Sequence, residues 1–358
     1  MRKGSRRSSK ISHKPSTQFH NAILTSPEQI AKNESEPLSE SEPRYDPRNK
    51  LNDLSNVEWL TFTKSVWQSR PPPRDELKEQ HPATFAESDI EKLIMFFTKR
   101  GGRVLDPFLG SGSTLLACLN TGRDGVGIEL IKHWVEIARQ RLKRAKDSSR
   151  YFQAGIEEYS GRTTERTQPP HLEILHGDAR EMLERQESES FDFIVTSPPY
   201  WAILTKAADH KTKQERLSKG LPTKYSEDKR DLGNAPSYSE FLEELSSVFK
   251  ECFRVLRNGK YMVVIVSDFR HGSEFIAYHN DVSTIIKELD FRLEGITVLV
   301  QDSKNLYPYG MPYAFVSNIH HQYLLIFRRN SYKEKEVNNS NSKMLVDTTI
   351  TKRTRKQV

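Results

Sequence analysis

Short apolar runs alternate with helical periodicities along the middle of this chain, and that alternation predicts an α/β domain over residues 51–330. Ile90, Leu93, Ile94 and Phe97 recur at helical spacing and lead through Gly101-Gly102 into a strand at Val104-Leu105. A helix then runs to Gly122, a strand to Glu129, and a second helix over Ile131 to Ala145 carries Trp134, Val135, Ala138 and Leu142 on one face. The same rhythm gives strands at Leu172 to Leu175 and Phe191 to Val195, with a helix over Ala179 to Arg185 between them. Ser237 and Glu240 have capping-box spacing for a long helix whose Phe241, Leu245, Val248, Phe249, Cys252 and Leu256 share a face and which Gly259 ends. A strand at Tyr261 to Val266, a helix near Val282 to Leu289 and strands at Leu293 to Val300 and Gln322 to Phe327 complete the pattern. The expected fold is a mostly parallel sheet with an antiparallel edge hairpin. Trp59 to Trp67 is aromatic and β-prone, and Pro71 to Pro73 ends it.

Polar stretches frame that domain. Residues 1–50 begin basic, turn acidic at Glu34 to Glu42 and lack apolar periodicity, the composition of a disordered arm; residues 331–358 read as a disordered basic tail. From Ala202 to Pro236 the chain is rich in Lys, Arg, Thr and Gly without an apolar stripe, which predicts a long loop or small insertion. The net charge of +7 over 358 residues favours a polyanionic partner only weakly, since many basic proteins bind nothing acidic. Cys118 and Cys252 each fall in an amphipathic helical pattern, which argues for core thiols rather than a disulfide framework or a cysteine metal site. The apolar runs are strand-length, so a cytoplasmic protein with no membrane span is expected.

The candidate chemistry begins at Arg103 to Leu130. Asp106-Pro-Phe-Leu-Gly110-Ser-Gly112 follows a strand and opens a helix that Ser113 or Thr114 can cap, and the next strand ends at Glu129. A phosphate-binding loop would need a Lys-Ser/Thr pair that is missing, and a dinucleotide fingerprint would need a small residue where Leu115 stands. An acid at the turn repels a pyrophosphate but suits a cationic amino acid joined to a nucleoside, and Glu129 suits the ribose hydroxyls. Those demands describe S-adenosyl-L-methionine. Asp178, at a further strand end, is placed to meet the adenine amino group and also to cap the helix after it. Thr196-Ser-Pro-Pro-Tyr-Trp201 leaves another strand, and its proline pair holds a rigid turn that presents Ser197, Tyr200 and Trp201.

Asp106 to Gly112 with Gly127-Ile-Glu129, together with Ser197-Pro198-Pro199-Tyr200, resembles the DNA amino-methyltransferases, which methylate cytosine N4 or adenine N6. His81-Pro-Ala-Thr-Phe85 resembles that family's third cofactor element. The resemblance covers about Val57 to Arg329 and implies a Rossmann-like S-adenosylmethionine-dependent methyltransferase fold. It implies cofactor contacts at Phe85, Asp106, Phe108, Gly110, Gly112, Ser113, Glu129 and Asp178, and catalytic roles for Ser197, Pro198, Pro199 and Tyr200. The Ser197 hydroxyl and Pro198 carbonyl would accept from the target amine, and Tyr200 and Trp201 would line a pocket for a flipped base.

Ser at the head of the tetrapeptide more often accompanies cytosine N4 in that family, so N4-methylcytosine in double-stranded DNA is the expected product, with N6-methyladenine as the runner-up. An RNA amino-methyltransferase and an inactive DNA-binding subunit are further alternatives. The cofactor half precedes the Pro-Pro-Tyr half, the reverse of many members with a His-Pro element, and this leaves the recognition segment unplaced. Residues 201–236 are the candidate, with Lys206, Lys211, Lys213 and Arg216 for phosphates, and Trp59 to Arg74 the alternative. A cognate restriction endonuclease is an expected partner, no metal is expected, and the chain should be a monomer or weak dimer.

Overall fold

The computed structural model describes residues 45–70, 76–81, 86–147, 169–201, 218, 226–302 and 304–330. In chain order these form α1 (Asn56–Phe62), β1 (Val66–Gln68), α2 (Glu76–Gln80), α3 (Glu87–Phe97), β2 (Arg103–Asp106), α4 (Ser113–Thr121), β3 (Asp124–Glu129) and α5 (Lys132–Asp147). They continue with β4 (Leu172–His176), α6 (Ala179–Glu184), β5 (Phe191–Thr196), a 3-10 turn (Leu232–Asn234), α7 (Tyr238–Val255) and β6 (Leu256–Val266). A small hairpin, β7 (Phe269–His271) with β8 (Glu274–Ile276), precedes α8 (Tyr278–Lys287), β9 (Phe291–Val300) and β10 (His321–Arg329).

One sheet runs in the order β1-β9-β10-β6-β5-β2-β3-β4, and β10 alone is antiparallel to its neighbours. Alternate residues of the central strands feed opposite faces. Val104, Phe193, Val195, Val263 and Ile265 pack with Ile90, Leu93, Ile94 and Phe97 of α3. Leu105, Ile194, Met262, Val264 and Val266 pack with Phe241, Leu245, Val248 and Phe249 of α7. Burial on both faces is why these strands read as unbroken apolar runs. Cys118 and Cys252 are buried within this core. No helix among the described residues is long and apolar enough to cross a membrane.

Three expectations change. Helix α7 stops at Val255, because Leu256 is already extended and opens β6, so Leu256 and Gly259 belong to the strand and not to the helix. The β9–β10 hairpin sits inside the sheet, because β1 adds a parallel strand outside β9 and β10 also pairs with β6. The segment from Trp59 begins as a helix, since Ser55 and Glu58 form a reciprocal capping box that outweighs the β-propensity of its aromatics. Trp59 and Phe62 then pack on Phe96 of α3 at ring distances of 4.9 and 5.8 Å. Among the arm and tail expected at the ends, only 45–50 falls within the described residues.

The chain order of the strands reverses between β2 and β5. Ligands of open α/β sheets bind beyond the carboxyl ends of strands at such a reversal. The two strand ends there are Asp106 and Thr196.

Candidate active site

The turn after β2 is shaped from several directions. Leu109 N–H donates to the Ile128 carbonyl at 2.8 Å, fastening the turn to β3. Gly110 and Gly112 have φ of 56° and 89°, left-handed values that glycine adopts without strain. A Cβ at Gly112 would stand 2.9 Å from that of Ala138 on α5, and one at Gly110 would meet the His81 ring at 3.1 Å. Gly112 is the N-cap of α4 and no side chain caps it, so neither Ser113 nor Thr114 takes the capping role expected of them. Ser113 Oγ instead donates to Glu87 Oε1 (2.9 Å), and Thr114 Oγ1 donates to Asp106 Oδ2 (2.6 Å).

Beneath the turn lies an ion network absent from the sequence-based reading. Arg141 of α5 donates to the Ser111 carbonyl at 2.7 Å and to Glu87 Oε1 at 2.6 Å, while Lys78 reaches Glu87 Oε2 at 2.5 Å. All three side chains are largely buried. Burial pushes the Glu87 carboxyl up, but the two cations outweigh it and hold the group below its ordinary range.

Four carboxylates face one cavity of about 360 Å³. Asp106 is 3% exposed, and burial raises its pKa despite hydrogen bonds from Thr114, Thr196 and the Phe108 N–H. Glu129 accepts from Gly110 N–H and Ile131 N–H, each at 2.8 Å, yet burial pushes it up to about 7. Asp178 caps α6 through Arg180 N–H (2.9 Å) and pairs with the Arg180 guanidinium; burial pushes its pKa up, and these bonds bring it below the ordinary value. Asp231 was not foreseen. It caps the 3-10 turn by accepting from Gly233 N–H at 3.0 Å, an arrangement that the Asp-Leu-Gly spelling could have signalled.

The opposite wall is the proline turn after β5. Thr196 Oγ1 donates to Asp106 Oδ1 at 2.6 Å, a buried bond that ties the two strand ends together. Tyr278 hydroxyl donates to the Pro199 carbonyl (3.0 Å), and Ser267 N–H donates to the Tyr200 hydroxyl oxygen (3.0 Å). The Tyr200 ring lies against Tyr278 and Phe269 at 5.5 and 6.0 Å, and burial pushes its phenol up to about 12.

Ser197, Pro198, Pro199 and Tyr200 therefore share the cavity wall with Asp106, Phe108, Gly110, Ser113, Glu129 and Asp178. Gly112 shapes the turn from behind. Trp201 is not among the cavity-lining residues: its indole N–H donates to the Ala235 carbonyl at 3.0 Å, and its ring packs on His271 and Tyr238. Gln301, Lys304 and Gln322, which no sequence motif marks, complete one side of the cavity. Phe85, Lys206, Lys211, Lys213 and Arg216 lie outside the described residues.

Comparison with known proteins assigns the class. The family model for N6/N4 enzymes, described as DNA methylase, matches residues 9–140 and 191–357, and the chain belongs to that family. Type II methyltransferase M2.DpnII of Streptococcus pneumoniae is 32% identical over 108 residues, 29% of this chain and 37% of that protein. Type II methyltransferase M.ScaI of Streptomyces caespitosus is 43% identical over 68 residues, 19% of this chain and 22% of that protein. The matched stretches thus span well under half the length of these relatives. Among solved structures, a Thermus thermophilus protein named as a DNA modification methylase and complexed with S-adenosyl-L-methionine is 26% identical. That match covers 43% of this chain and 54% of the other, with a TM-score of 0.29.

Proposed function

We propose that the chain transfers a methyl group from S-adenosyl-L-methionine to the exocyclic N4 of cytosine in double-stranded DNA, in the cytoplasm, as the modification enzyme of a restriction-modification system. One observation supports this above the others: the Thr196 to Asp106 hydrogen bond joins the glycine turn and the proline turn, and both line a single cavity.

The donor set fits the cofactor. Asp106 and Asp231 put negative charge where an ammonium and a sulfonium are to be held, Glu129 offers carboxylate oxygens to a ribose, and Asp178 stands at the next strand end for the adenine. When bound, S-adenosyl-L-methionine supplies the electrophilic methyl group. The target amine needs acceptors on its N–H bonds, because its lone pair is delocalised into the ring until the nitrogen pyramidalises. Ser197 Oγ and the Pro198 carbonyl provide them at a turn that Tyr278 and Ser267 hold fixed, so they stabilise positive charge as it grows on nitrogen. Tyr200 is anchored through its hydroxyl and offers a face to an extruded base. No covalent intermediate is required. Both cysteines are buried in helices, away from the cavity lining.

Incubating the protein with labelled cofactor and unmethylated DNA, then digesting to nucleosides, should place the label in N4-methylcytosine. Label only in N6-methyladenine would reverse the choice of base, and label only in RNA would reverse the choice of polymer. Ser197→Ala should lower turnover about 100-fold while leaving cofactor affinity near that of the parent.

A further inference from the structure

Five of the ten exposed large apolar side chains among the described residues sit on one stretch, Leu306 to Phe315. This is the connection between β9 and β10, and it leaves directly from the cavity, whose wall includes Gln301 and Lys304 before it and Gln322 after it. Its base is closed by Asn318, which accepts from Tyr307 N–H at 2.9 Å and donates to the Tyr307 carbonyl at 2.8 Å. At its tip the Tyr313 and Ala314 N–H groups both donate to the Gly310 carbonyl at 2.7 Å. A tip ordered in this way does not bury its own rings: Tyr313 is 94% exposed and Phe315 is 90% exposed. Apolar side chains gathered on a hydrogen-bonded loop mark a surface that meets something else.

Charge narrows the choice of partner. Asp302, at the root of the connection, accepts from Gln68 Nε2 at 3.2 Å, and no Asp or Glu follows it from Lys304 to Asn330, so the apolar tip itself carries no charge that repels a polyanion. Flat rings without neighbouring acids suit nucleobases, which stack on aromatics whatever their identity. The loop also adjoins the cavity into which a base would have to be drawn.

The geometry points to the β9–β10 tip as a second nucleic-acid contact, in which Tyr313 and Phe315 stack on bases beside the target nucleotide and hold the duplex open there. This assignment rests on the DNA reading of the cavity. It makes the loop a contributor to strand opening, separate from the turns that carry the chemistry.

Fluorescence anisotropy on a fully paired DNA duplex and on the same duplex with a short internal bubble tests it, using the full chain. The parent protein should prefer the bubble. Y313A/F315A should lose that preference and bind about tenfold more weakly for each ring removed, with cofactor affinity by calorimetry and the melting temperature unchanged. Tyr313→Phe, which keeps the ring, should bind as the parent does. Unchanged affinity and unchanged bubble preference in the double variant, beside a parent that methylates DNA, would sink the loop assignment alone. A parent that neither binds nor methylates DNA would sink both readings. Loss of a dimer on sedimentation, with DNA binding intact, would hand the surface to a second copy of the chain.

Discussion

Glu129 holds a carboxyl group whose pKa of about 7 makes it half protonated near neutrality. Its folded value lies above the ordinary 4.5, so the neutral form favours the fold; that stability is complete below about pH 4.5 and is lost as pH rises through 7. Ribose hydroxyls donating to the carboxylate act in the opposite sense and select the charged form. Cofactor binding should therefore release a proton, and affinity should fall about tenfold per pH unit below 7 while levelling off above it. Calorimetry across that range, repeated in buffers of different ionisation heat, checks both effects, and Glu129→Gln should flatten the profile. At this scale the sequence was informative where function follows from covalent neighbours. Asp106 and Ser197 each precede a proline at a strand end, Glu129 ends a strand two residues after Gly127, and all three line the cavity. It was silent where a side chain acts across the sheet. Thr196 ends β5 and Thr114 is expected as a helix cap, and neither position discloses that its hydroxyl donates to Asp106.

Helix α5 illustrates what an amphipathic pattern hides. Trp134, Val135, Ala138 and Leu142 are readable as its inner face, but that pattern does not mark Arg141, which is 5% exposed and holds Ser111 and Glu87. Periodicity assigns a helix face from hydrophobicity, so a buried cation with a distant partner is assigned wrongly. Arg141→Ala leaves Glu87 with Lys78 and the Ser113 hydroxyl but one cation fewer, and takes the guanidinium away from the Ser111 carbonyl. It should cost about 3 kcal/mol, the low end for breaking a buried pair, measured by urea unfolding, and should weaken cofactor binding as the turn loosens. Because the Glu87 pKa is lowered, the network's contribution is present above the ordinary carboxylate range and disappears as pH falls through the folded value. Helix α1 shows the converse error: a local cap at Ser55 and Glu58 overrode residue propensity, and the cap was present in the sequence to be read.

For the molecule as a whole, the alternation of elements revealed the class of fold and most of its strands, whereas the sheet order came only from the structure. Nothing local predicts that three-residue β1 lies parallel to β9, pairing Val66 with Val298. Nor does the sequence say which surface meets the nucleic acid, since phosphate contacts need only positive charge at the right distance. If 201–236 is the recognition segment, replacing Lys206, Lys211, Lys213 and Arg216 by Gln should weaken DNA binding on all sequences alike. The slope of log affinity against log salt should then fall by about 0.9 for each phosphate contact removed. A titration over several salt concentrations measures this directly, and a slope that stays at the parent's value would move the contact elsewhere.

Strands β2 and β5 lie side by side with Val104 opposite Phe193 and Leu105 opposite Ile194, and the Thr196 hydroxyl meets Asp106 just beyond those pairs. Adding or deleting one residue in either strand would turn every later side chain to the other face and carry the hydroxyl away from the acid. Across this seam the gene is free to drift in spelling but not in length, and surviving insertions should accumulate in the connections instead.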